Sequence, residues 1–114
     1  MRIINQTKNC LLAEEAVIAE TFFKRSKGLL GKKNLPTGQA LVLMPCNSVH
    51  TFFMRFPIDI AFIDKYNKVV KIIPLIPPFR ITPVYFNAHF AIEFPAGTLE
   101  ADNLKEQDKI EFVR

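Results

Sequence analysis

The sequence predicts a mainly β fold, a compact sandwich or barrel with one short helix near residues 21–30. Two observations carry this. Eight prolines against four glycines break any long helix, because proline lacks the amide hydrogen that an interior turn must donate. Short apolar runs rich in β-branched and aromatic residues also recur along the chain, each bounded by turn residues. Its 114 residues fit a single domain spanning 1–114, and eleven Phe supply the bulk for a core.

In chain order, Arg2 to Asn5 and Cys10 to Ala13 read as short strands. Thr21 suits a helix N-cap for Phe22 to Leu30, with Phe22, Phe23 and Leu29 inward and Lys24, Arg25 and Lys27 outward. Gly28 or Gly31 would close that helix, and Pro36-Thr37-Gly38 turns the chain. Ala40 to Pro45 is an apolar run for a buried strand. Val49 to Arg55 and Ile58 to Asp64 are expected as strands separated by Pro57. A turn at Asp64-Lys65-Tyr66-Asn67 leads into Lys68 to Ile73 and makes a hairpin. Residues 74–83 hold four prolines among Leu, Ile and Phe and read as an extended apolar loop. His89 to Phe94 is a further strand, Leu99 to Leu104 a helical turn, and Lys109 to Val113 a closing strand.

Charge is unevenly spread within a net +4. Residues 21–92 hold ten Lys/Arg and only Asp59 and Asp64, whereas residues 93–114 hold six acids and three bases. A basic middle can attract phosphate, nucleic acid or an anionic surface, but no nucleic-acid motif accompanies it. The plainer reading is a solvated surface against which the acidic C-terminal part folds. Cys10 and Cys46 are too few for a disulfide framework and point to reduced thiols and a cytoplasmic protein. No signal-peptide core precedes them, and no apolar stretch reaches the roughly 18 residues of a membrane span.

Reactive side chains concentrate between Cys46 and Asp59, a stretch that includes Ser48, His50, Met54 and Arg55. A Cys nucleophile needs a base within about 3 Å. On a strand, Cys46 and His50 would stand about 13 Å apart, at roughly 3.3 Å per residue. The same spacing argues against a ready-made site for a soft metal with Met54, and no metal or cofactor is expected. Asp59 lies among Phe, Pro and Ile, where a carboxylate must be paired or hydrogen-bonded. Its options are loop amides, an ion pair with Arg25, Arg55 or Arg80, or a place in a pocket.

This stretch, with Phe53, Met54, Ile58 and Asp59 as its centre, Arg25-x-x-Gly28-Leu29 upstream and Glu93-x-x-Ala96-Gly97 downstream, resembles the bacterial and archaeal family called domain of unknown function 192. The resemblance runs over nearly the whole chain. Leu30 replaces the Met usual after Gly-Leu, a volume-conserving exchange. The resemblance implies a compact β-sandwich of jelly-roll type and no established activity.

Three functions follow as expectations. The leading one is a binding domain whose pocket, near Asp59 and Glu93, takes a small polar or anionic ligand or a peptide end; its candidate residues are Asp59, Glu93, His50, Met54, Arg25, Arg80 and Cys46. The second is a hydrolase or transferase with Asp59 and Glu93 as an acid/base pair, assisted by His50 or His89. The third is a nucleic-acid or anionic-surface binder through Lys24, Arg25, Lys27, Lys32 and Lys33. Whether any catalysis occurs is left open by the residues alone.

Overall fold

The structure, a computed structural model, describes residues 1–19, 34–52, 54–100 and 103–114. Among the described residues, eight strands form two sheets. In the smaller, β1 (Arg2–Asn5) lies between β2 (Cys10–Ala13) and β8 (Ile110–Val113), antiparallel to both. The larger holds β3 (Glu15–Ala19), β4 (Gln39–Leu43), β5 (Ile58–Ile63), β6 (Val69–Ile76) and β7 (Phe90–Pro95), in the order β3-β4-β7-β5-β6. Only β3 and β4 run parallel.

Side-chain alternation decides how the layers stack. On one face of the large sheet, Ala16, Val42, Ala61, Ile63, Phe90, Ile92 and Phe94 meet Ile3, Leu12, Ala13 and Ile110 of the small sheet. This is a sandwich core. On the other face, Leu43, Ile58, Ile60, Phe62 and Ala91 pack under Val49, Met54, Cys46 and Tyr85 from irregular segments. The large sheet is therefore a middle layer, with a small sheet on one side and a cover of loops on the other. That is why every residue of β5 is buried, a pattern expected of a strand covered on both faces. Fully burying a side chain such as Phe62 or Ile63 stabilises the fold by about 1.5–3 kcal/mol.

The predicted hairpin forms. Asp64 Oδ1 accepts from the amides of Tyr66 and Lys68 at 2.8 and 2.9 Å, and Asn67 takes the left-handed conformation at φ 64°. Gly38, at φ 88°, closes the turn before β4, and its carbonyl accepts from Glu14 and Glu15 as the chain passes from the small sheet to the large.

Four expectations need correction. The two sheets stay separate, so no closed barrel forms. The described residues of Val49 to Arg55 form no strand; His50 makes only an isolated bridge to Ile81. Its backbone partner is the proline-rich segment, where Pro77, Pro78 and Pro83 lack the amides a continuous ladder requires. Residues 74–76, expected as loop, instead complete β6, which tolerates Pro74 because it is an edge strand. Strand β3 was not anticipated at all: its five residues pair in parallel with β4, a long-range partner that local pattern does not reveal. The helix expected at 21–30 lies outside the described residues, and no helix occurs among the described ones.

The end of β1 is fixed by a buried side chain. Asn5 Nδ2 donates to Asn103 O at 2.7 Å and to Asp108 Oδ2 at 2.9 Å, while its Oδ1 accepts from the amides of Thr7 and Lys8. Asn5 thereby ties the first turn to the loop before β8. Replacing it by Ala should cost about 2–3 kcal/mol, because buried partners on both sides lose their bonds. Chemical denaturation of Asn5→Ala measures this; a loss below about 0.5 kcal/mol would deny the network its role.

Candidate functional site

The two carboxylates singled out in the sequence both sit in the interior, Asp59 at 0% and Glu93 at 2% exposure. They do not share a site. Asp59 stands opposite Phe94 and Ile60 opposite Glu93 across the β5–β7 ladder. Cross-strand partners point to the same face, so Asp59 faces the small sheet and Glu93 faces the loop cover. The expected common mouth is thus divided by the sheet itself, and with it the geometry for an acid/base pair.

Asp59 is fully engaged. Its Oδ1 accepts from Leu75 N and its Oδ2 from Leu99 N, each at 2.8 Å. A β-bulge makes the first bond. Ile58 pairs with Ile76 but Ile60 with Ile73, so Pro74 and Leu75 together oppose Asp59. Leu75, at φ 53°, turns its amide onto the carboxylate. Of the options open in the sequence, a loop amide is realised at Leu99, while the other donor, Leu75, belongs to strand β6.

Glu93 is the contrary case. On β7 it lies between Leu41 of β4 and Ile60 of β5, on the face where Met54 is packed. Its Oε1 is buried and has no hydrogen-bond partner among the described residues. Burial raises its pKa from 4.5 to about 8, since the charged form would lose hydration with nothing in return. At neutral pH the group is therefore mainly a carboxylic acid, able both to donate and to accept.

The remaining candidates scatter. Met54 is buried in the cluster on Glu93's side of the sheet. Cys46 is half-buried at the edge of that cluster, and its thiol donates to Ser48 O at 3.1 Å. His50 is exposed and stacks on Phe52 with ring centroids 5.4 Å apart. Arg80 is exposed, its guanidinium donating to Phe79 O at 3.3 Å. Arg25 and the basic 24–33 segment lie outside the described residues. Neither cysteine is in a disulfide, and Cys10 donates to Asn103 O at 3.4 Å. No cluster of three or more His, Cys, Asp or Glu suited to a metal occurs among the described residues. No helix among them is long and apolar enough to cross a membrane.

Sequence reasoning overlooked a set of hydroxyls. Thr51 Oγ1 donates to Pro77 O at 2.7 Å and accepts from Arg80 N at 2.9 Å; Thr82 Oγ1 accepts from Val49 N at 2.9 Å. These buried threonines lash residues 47–52 to 77–85. Threonine in an apolar run was the available signal, but it reads equally well as ordinary strand composition. Two surface clefts are also present, one of about 420 Å³ lined by residues such as Leu12, Glu14, Gly38, Ala96 and Gly97, the other of about 290 Å³ between Cys46, Asn47 and His89. Neither includes Asp59 or Glu93.

Fold and site together define a small two-sheet β domain with one interior carboxyl bonded through both oxygens and another with one oxygen lacking a partner among the described residues. The chain belongs to the family described as domain of unknown function 192, uncharacterized ACR, whose model matches residues 3–112. A UPF0127 protein from Pyrococcus horikoshii is 35% identical over 115 residues, covering 96% of this chain and 97% of that protein. Another from Thermococcus sibiricus is 34% identical over 116 residues, covering 96% and 73%. The crystal structure of a protein of unknown function from Novosphingobium aromaticivorans superposes with a TM-score of 0.83 at 18% identity, over 97% of this chain and 82% of that one. That last likeness establishes the fold.

Two outcomes are expected. Asp59→Asn replaces one acceptor by a donor facing an amide, and should destabilise by about 2–4 kcal/mol in urea titration; a neutral result would mean that the two amide bonds are dispensable. For Glu93, the folded state keeps a proton that the unfolded chain releases near pH 4.5. The stabilisation from that proton is complete below pH 4.5 and gone above about pH 8. Relative to Glu93→Gln, the wild type should therefore lose roughly 4–5 kcal/mol across this range. Parallel pH profiles of the two proteins would contradict it.

Proposed function

We propose that the chain is a small binding domain, and that Glu93 is the group its ligand recognises on the covered face of the large sheet. One observation carries the reading. A buried acceptor without a partner costs about 1–3 kcal/mol, and an apolar residue at the same position would avoid that cost. Departures of this kind from a self-consistent core are characteristic of functional positions. A neutral carboxylic acid offers one donor and one acceptor side by side, and an amide offers the complement. The ligand class that fits best is a compact amide, such as a peptide end, seated among Leu41, Ile60 and Met54. Entry requires the cover to part locally. That cover consists of irregular segments, which open at lower cost than a strand ladder. The unbridged thiols are in keeping with a reducing, cytoplasmic setting.

The test is a titration of isotope-labelled protein with N-acetylated dipeptide amides, followed by amide chemical shifts. Saturable changes centred on residues 41, 60 and 91–94 are expected, and they should vanish in Glu93→Leu. The same variant should be more stable than the wild type by about 1–3 kcal/mol. Absence of any saturable change near Glu93, in folded wild-type protein, would remove the proposal.

A further inference from the structure

Part of the cover is an irregular antiparallel ribbon. Thr51 N donates to Arg80 O, Phe79 N to Thr51 O, Thr82 N to Val49 O and Tyr85 N to Asn47 O, all between 2.8 and 3.0 Å. His50 and Ile81 bridge at its middle. Alternation gives the ribbon two faces. Val49, Thr51 and Thr82 point inward and are buried, whereas His50, Phe52, Phe79 and Ile81 point outward. Apart from His50, the outward side chains are large and apolar: Ile81 is 67% exposed and Phe79 59%, with Phe86 at 88% just beyond the last rung and Leu75 at 61% where β6 leads in. Isolated exposed apolar residues are ordinary, but a run of them on one ribbon marks a contact surface.

The charge around this face narrows the partner. Residues 46–58 and 74–92 carry Arg55, Arg80, His50 and His89 and contain no Asp or Glu. Arg55 and Arg80 are both exposed. We propose that this ribbon docks on an anionic lipid bilayer, its apolar side chains entering the headgroup boundary and its arginines meeting the lipid charge. Exposed Phe and Ile side chains flanked by cations are what interfacial anchoring requires, and a bilayer accepts them without a matching groove. A second copy of the chain across a two-fold axis would bring Arg55 and Arg80 toward their own like charges, which disfavours self-association.

Co-sedimentation with vesicles tests this with the folded chain. Vesicles of phosphatidylcholine with about 30% phosphatidylserine should bind the wild type, and pure phosphatidylcholine far less. Binding should fall steeply toward ~0.5 M salt. Arg80→Gln should weaken it about fivefold. Ile81→Ser combined with Phe86→Ser should weaken it roughly tenfold or more, with circular dichroism and thermal midpoint unchanged, since both residues face outward. The chain has no Trp, so Ile81→Trp supplies a single reporter whose emission should shift to the blue on anionic vesicles. No binding to anionic vesicles overturns the proposal, as does equal binding to both vesicle types that ignores these substitutions. A wild-type dimer in sedimentation that Ile81→Ser dissolves would also overturn it, assigning the face to a second copy.

Discussion

The arrangement of the interior depends on the two amide bonds that Asp59 accepts from Leu75 and Leu99. A carboxylate at 0% exposure is tolerated only if its oxygens are occupied, and here both are occupied by backbone. Each bond reaches a different part of the chain. One captures the bulge in β6 and so fixes where the edge strand ends and the proline segment departs. The other captures the chain after β7, placing Leu99 in the core shared by the two sheets. The same departure from β6 leads to Pro77, whose carbonyl accepts from Thr51 and holds the cover on the opposite face. A single side chain on one face thus sets the starting point of structure built on the other.

The contrast with Glu93 rests on one residue of register. Had β7 been shifted by a single position, Glu93 would face the small sheet and Phe94 the loop cover. As built, one acidic residue is a joint and its neighbour across the ladder is held mostly protonated in an apolar cluster. Both oxygens of the first are taken up by those amides; the second has an oxygen without a partner among the described residues.

The strands that were legible are those whose pairing is announced locally. The hairpin of β5 and β6 follows from Asp64 and Asn67, whose side chain and backbone preferences write the turn. β4 and β7 show their burial as apolar runs. What could not be read depends on partners remote in sequence. Glu15 to Ala19 becomes a strand because β4 lies alongside it, and Val49 to Phe52 fails to become one because its partner segment is rich in prolines. Both carboxylates were recognisable as misfits in apolar surroundings. Their separation was not, since which face a strand residue occupies depends on register, and register is settled by the assembled sheet.

The order of the small sheet gives its assembly a particular dependence on β8. β1 is the first strand and β8 the last, and they are neighbours, with Asn5 opposite Ile110. Until residues 110–113 arrive, β1 has a partner on one side only, and the core between the sheets lacks Ile110. This layer therefore stays unfinished until β8 docks, although every strand of the large sheet precedes β8 in sequence. Its closing contact joins Arg2 to Val113, a long sequence separation that places it among the costliest to form and assigns the late, slow part of assembly to the smaller sheet.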